Sequence, residues 1–127
     1  FSEGTDVTIF ACGHLVWKAV EAGKILEEKG ISVEVINIHT IKPLDIPAVI
    51  ASVSKTKCVV TAEEHQILGG LGSAIAKVVS ENNPAPIEYV GVNDKFGESG
   101  TTEQLLTKYG MSTQHVVDAA LKVIARK

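Results

Sequence analysis

Short aliphatic, β-branched runs alternate with segments whose apolar positions recur every three or four residues, and this change of period repeats along the chain. Val7 to Cys12 (VTIFAC) is apolar enough for a strand buried on both faces, and it ends at Gly13. From Leu15 the period becomes helical. Val16, Ala19, Val20, Gly23 and Leu26 share one face, and Gly30 stops the helix. Val33 to Ile38 is a second strand with more alternation. Pro43 disfavours the α conformation at Lys42, and Asp45 caps a helix with Ile46, Val49, Ile50 and Val53 inward and Pro47 in its first turn. Lys57 to Ala62 is the third strand, and the helix after Gly72 runs to about Glu81 with Leu71, Ile75, Val78 and Val79 inward. Asn82 to Pro86 turns the chain into a fourth strand, Ile87 to Val92, followed by a polar loop from Asn93 to Gly100. Thr101 with Gln104 forms a capping box for a short helix ending at Tyr109-Gly110. Ser112 or Thr113 caps the last helix, whose inward face carries Val116, Val117, Ala120, Leu121 and Ile124.

The order β-α-β-α-β-α-β-α-α has connections too long for hairpins, so it predicts a mostly parallel sheet with helices on both faces. The fold class is α/β, a three-layer α/β/α sandwich. At 127 residues the chain is one domain, large enough for a core without staples. Apolar residues at 45% and charged residues at 21% are the balance of a soluble globular protein. A net charge of −3 provides no basic field for nucleic acid and no polybasic patch for a membrane. No apolar run approaches the ~20 residues of a membrane span, and no leader-like segment opens the chain. Cys12 and Cys58 fall near opposite ends of neighbouring strands, beyond disulfide reach, which predicts reduced thiols in a cytoplasmic protein. The chain begins at Phe1, which points to processing or to a piece of a longer protein.

Parallel strands collect the polar residues that follow them on one edge: Gly13 and His14, His39 and Thr40, Glu63, Glu64 and His65, Asn93 and Asp94. Histidines and carboxylates there suggest a metal, but no His-x-x-x-His or Cys-x-x-Cys spacing supports one. Gly69-Gly70-Leu71-Gly72-Ser73 opens a helix and could cradle a phosphate. It is neither a Walker loop nor a dinucleotide fingerprint, and Glu63 and Glu64 just upstream repel an anion. The favoured reading is a structural turn whose glycines let the helix pack closely on the strand. Glu63 and Glu64 are adjacent, so in extended chain they point to opposite sides and do not form an acid/base pair. Cys12 and Ser73 lack a base and an orienting carboxylate. The Phe96 to Gly100 loop can fold compactly over a neighbour, and Trp17 reads as packing or interface.

Taken together, these segments resemble the carboxyl-terminal domain of transketolases. Gly4 to Ile9 leading to Gly13, Gly30 to Asn37, and Thr40 to Asp45 carry the likeness, as does Glu63-Glu64-His65 with Gly69 to Ala74. So do Asn93 to Gly100 and Leu105 to Gly110. The Glu-Glu-His form with Phe-Gly-Glu-Ser-Gly is most similar to transketolases whose carboxyl-terminal half is a separate subunit. Related families are 1-deoxyxylulose-5-phosphate synthase and the beta subunits of 2-oxo acid dehydrogenases.

The resemblance implies transfer of a two-carbon ketol unit between sugar phosphates by thiamine diphosphate and a divalent metal, both bound by other domains. It implies pyrimidine- and diphosphate-binding domains or subunits as partners, in a homodimer or heterotetramer. It carries over no catalytic, cofactor-binding or metal residue, since no Gly-Asp-Gly motif occurs. It also implies the strand order 2-1-3-4, with an antiparallel edge strand supplied by residues before Gly4. Residues 1–127 then form one transketolase C-terminal-like domain of a longer subunit. His14, Glu63, Glu64, His65, Gly70, Ser73, Phe96 and Ser99 are expected on an interdomain or anion-facing edge. Two other classes of function compete with this reading. One is a flavodoxin-like module binding an anion or small molecule between the Cys12-Gly13-His14 and Glu63-Glu64-His65 turns, and the other is a dimerisation element.

Overall fold

A computed structural model describes residues 4–12, 15–38, 46–63, 71–91 and 113–127. The strands are β1 (Val7–Cys12), β2 (Val33–Asn37), β3 (Val59–Glu63) and β4 (Ile87–Gly91). The helices are α1 (Leu15–Glu28), α2 (Ile46–Thr56), α3 (Leu71–Asn82) and α4 (Thr113–Ala125). The sheet order is β2-β1-β3-β4, and the three pairings are parallel. The implied antiparallel edge strand, the Asp45 cap and the short helix from Thr101 lie outside the described residues.

Strand alternation sorts the core into two layers. Val7, Ile9, Ala11, Val33, Val35, Val60, Ala62 and Val90 pack with Ala19, Ala22 and Leu26 of α1 and Val116, Val117, Ala120 and Val123 of α4. On the opposite face Phe10 and Val59 pack with Val49 and Val53 of α2 and Ile75, Val78 and Val79 of α3. The α/β/α sandwich is therefore present. The sequence-derived assignments need correction at particular residues. Ile46, expected inward, is 46% exposed at the first position of α2, and β3 runs to Glu63, one residue past Ala62. Leu121 is 39% exposed, and Val123 takes the inward place instead. β2 ends at Asn37, one residue before Ile38. β3 starts at Val59, two residues after Lys57, because Lys57 has φ 64° and donates its N–H back to the Val53 carbonyl at 2.8 Å. That left-handed residue ends α2 before the strand can begin. Gly30 (φ 83°) ends α1 in the expected way: its N–H reaches the Glu27 carbonyl at 3.0 Å, and that of Ile31 reaches Leu26 at 3.0 Å.

One polar network interrupts the layer under α2. Glu34 accepts from Ser52 Oγ and pairs with Lys55 Nζ, while Thr8 Oγ1 lies 2.8 Å from Ser52 Oγ and 2.6 Å from Thr56 Oγ1. Burial raises the Glu34 pKa, but the hydrogen bonds from Lys55 and Ser52, the Lys55 charge and the Gly4 N–H together outweigh it. The carboxyl is held below its ordinary 4.5. A lowered folded pKa means that this stabilisation is fully present above the unfolded value and is lost as pH falls through the folded one. Thermal melts below about pH 4.5 should therefore drop more steeply for the native chain than for Glu34→Gln. Parallel pH profiles for the two proteins would contradict the assignment. The network gathers at the amino ends of β1 and β2, so it clamps α2 and leaves the opposite edge for function.

Candidate functional site

Among the described residues, the carboxyl edge of the sheet carries Cys12, Asn37, Glu63 and Gly91. Of the residues expected on a partner-facing edge, Glu63 and Ser73 are described. His14, Glu64, His65, Gly70, Phe96 and Ser99 lie outside the described residues. Gly13, His39, Thr40, Asn93 and Asp94 do too.

Glu63 closes β3 on the same strand face as Val59 and Thr61, the face beneath α3. Expected on the interdomain or anion-facing edge, it is instead turned inward and only 7% exposed, and its Oε1 accepts the Gly72 N–H at 3.3 Å. That N–H belongs to the first turn of α3, where no helical carbonyl is available to it and the helix dipole favours a negative group. A side chain at position 72 would press on the Tyr89 ring, which would have to shift. A Cβ there would lie 2.9 Å from Tyr89 Cδ1, 3.1 Å from Tyr89 Cε1 and 3.4 Å from Thr61 Oγ1. Glycine thus lets α3 approach β3 and β4 closely enough for its backbone to meet Glu63. Ser73, one residue on, is exposed.

The chemistry at Gly72 follows from this contact. Its N–H is already taken by the protein's own carboxylate, and a phosphate arriving there would meet a negative charge. Gly72 serves close packing of α3 on the sheet. The chain contains no Gly-Asp-Gly sequence. Among the described residues no three His, Cys, Asp or Glu side chains are grouped to hold a metal ion. None of the described helices is long and apolar enough to cross a membrane.

Cys12 and Cys58 are both thiols. Cys12 is half-buried and faces Glu63 across the β1–β3 pairing. Cys58 is fully buried and donates through Sγ to the Asp6 carbonyl at 3.1 Å. Burial pushes its thiol pKa up, against the pull of the Lys127 charge, and the Asp6 charge adds to the rise. A thiol kept protonated in this way is a packing group and no nucleophile.

Trp17, in the first turn of α1, is 65% exposed, so of its two expected roles, packing or interface, it does not serve core packing. One feature carried no expectation from the sequence. An open groove of about 380 Å³ runs along the flank where β4 meets α3, with Val79, Pro84, Pro86, Ile87, Tyr89 and Arg126 in its lining. Tyr89 is 60% exposed there because β4 is an edge strand that α3 only partly covers. The alternation of Ile87 and Tyr89 in the last strand was the available signal for it.

The family model described as "Transketolase, C-terminal domain" matches residues 2–116. The chain belongs to the transketolase C-terminal domain family. It is 49% identical over 125 residues to the 6-deoxy-6-sulfo-D-fructose transketolase subunit SqwH of Clostridium sp. (strain MSTE9), covering 98% of this chain and 39% of that protein. It is 38% identical over 124 residues to 1-deoxy-D-xylulose-5-phosphate synthase of Halothermothrix orenii (strain H 168 / OCM 544 / DSM 9562), covering 96% of this chain and 20% of that protein. A solved structure described as "Split gene transketolase, inactive beta4 tetramer" superposes with a TM-score of 0.92 at 49% identity, over 98% of this chain and 41% of that one. The chain thus spans about two-fifths of the length of the transketolase subunits it matches. The sheet order implied by the resemblance is the one observed.

Proposed function

We propose that this domain braces the assembly of a cytoplasmic, thiamine-diphosphate-dependent transketolase and does not itself touch the reacting atoms. The enzyme passes a two-carbon ketol unit between sugar phosphates. Its coenzyme and divalent metal are held by pyrimidine- and diphosphate-binding domains or subunits, in a homodimer or heterotetramer. The observation that carries this reading is the Glu63–Gly72 contact. One N–H of the helix start best suited to a phosphate is taken by the chain's own carboxylate, which favours a protein neighbour over an anion at that position. The edge's partner-facing residues are His14, Glu64, His65, Gly70, Ser73, Phe96 and Ser99.

The test compares the isolated domain with the assembled enzyme. Alone, the domain should show no ketol transfer and no heat of binding on titration with thiamine diphosphate. Turnover or coenzyme capture by the domain alone would overturn the proposal. Within the assembly, changing Glu64 and His65 together to alanine should weaken subunit association about tenfold, the effect of losing ~1.4 kcal/mol of interface contacts. The melting temperature of the domain should stay nearly constant. A large melting shift would assign the pair to internal stability.

A further inference from the structure

We propose that the outer edge of β4 receives an extended segment of a partner chain as an added strand, with apolar and acidic side chains alternating along it. β4 ends the sheet and pairs with β3 on one side only. In a parallel ladder, alternate residues of a strand bond the same neighbour, and here the Val59 N–H donates to the Pro86 carbonyl at 3.0 Å. Ile87 and Tyr89 therefore turn their main-chain groups away from β3. Arg126 agrees with this parity, donating from Nη1 to the Ile87 carbonyl at 3.1 Å. Among the described residues, nothing takes up the N–H or the carbonyl of Tyr89.

The two faces of this edge differ in chemistry. Ile87 and Tyr89 lie on the α3 side, where Ile87 packs on the core layer and both line the open groove with Val79, Pro84 and Pro86. That face takes apolar side chains. Glu88 and Val90 alternate to the α4 side. There Lys122, 3.5 Å from Glu88, and Arg126, also paired with Glu88, share one carboxylate, which leaves one positive charge unmatched. Both cations are exposed, so this face takes acidic side chains. Main-chain bonds at Tyr89 then supply attachment, and the two faces supply selectivity. This flank is distinct from the carboxyl edge, and its occupant is independent of the function proposed above. The competing reading is that Arg126 guards the edge against any added strand, as charged residues often do.

The experiment adds a short, capped peptide of alternating valine and glutamate to the full chain and follows amide exchange at Tyr89 by NMR. Without peptide, the Tyr89 N–H should exchange as an open amide. Peptide at saturation should slow it at least about tenfold. Versions N-methylated at all valines or at all glutamates keep the side chains but lose one row of donors. At least one version, the one whose lost donors face β4, should bind about tenfold more weakly. Lysine in place of each glutamate should weaken binding about tenfold, and Lys122→Glu, an exposed change, should reverse that preference.

An unchanged Tyr89 exchange rate at millimolar peptide would leave Arg126 as a guard and overturn the inference. Equal binding by both N-methylated versions and the parent would overturn it too, because the groove alone would then suffice. Indifference to the charge of the peptide would do the same. Protection that rises with chain concentration before any peptide is added would give the edge to a second copy and rule out the partner strand. The peptide comparisons leave the chain untouched, so they hold even if Lys122→Glu does not fold.

Discussion

Replacing Phe10 with alanine should lower the unfolding free energy by about 3–5 kcal/mol, the usual cost of emptying a buried aromatic site. Among the described residues, Phe10 is the largest of the side chains that are fully buried. It lies in the middle of β1, the strand held between β2 and β3, so the backbone cannot shift to refill the space. It also sits where α2 and α3 both meet the sheet, among Val49, Val53, Ile75, Val78 and Val79. The layer cannot collapse around a cavity without moving two helices. For a domain of this size, each kilocalorie corresponds to about 4 °C, so the melting temperature should fall by about 12–20 °C. Urea unfolding with an unchanged slope would locate the effect in stability alone. A loss below about 1 kcal/mol would mean that the two-layer core is wrongly drawn.

The periodicity that marks Phe10 as core also carries most of the fold. VTIFAC is apolar on both faces, and the strand is buried on both faces because it is central. Strand order is a different matter, since parallel pairing is non-local and leaves no mark in the spacing of any one segment. The order 2-1-3-4 came with the family resemblance. In α4 the apolar stripe was read one position too wide. At about 100° per residue, Leu121 lies ~140° round the helix from Val116, whereas Val123 lies only ~20° away. Leu121 is at the rim and Val123 at the centre, and the larger side chain drew the assignment. Lys57 shows another kind of miss. A left-handed lysine carries no sequence signature, so the end of α2 and the start of β3 were blurred into a single strand.

The polar carboxyl edge was legible in composition but not in direction. Adjacent glutamates in extended chain must diverge, and that rule alone does not say which one turns inward. The parity of the third strand does: Val59 and Thr61 are buried on the α3 face, and Glu63 follows them. The inward glutamate then explains why a glycine-rich helix start lies beside two acids. One of those acids is its cap.

The second large effect is expected at Gly4, where a Cβ would lie 2.5 Å from both N and O of Val33 and closer still to its carbonyl carbon. These three neighbours are all backbone atoms, so no side chain can swing aside, and Gly4→Ala must displace either β2 or the segment that crosses it. β2 is bound to β1 along Val7↔Val33 through Ala11↔Asn37, so the crossing segment should yield. That segment is held by Thr5 N–H to Ser32 Oγ at 3.0 Å, Asp6 N–H to the Ser32 carbonyl at 2.9 Å, and Ser32 N–H to Asp6 Oδ2 at 2.6 Å. At about 1 kcal/mol for each bond, the substitution should cost ~2–3 kcal/mol. It should also take the Gly4 N–H away from Glu34, one of the groups that hold that carboxyl low. The Glu34 pKa should then rise toward its ordinary value, and the acid-side loss of stability should begin at higher pH. A carboxyl titration followed by NMR reads this directly. A destabilised Gly4→Ala variant with an unmoved Glu34 titration would show that the clasp at Ser32 and the buried polar network are independent.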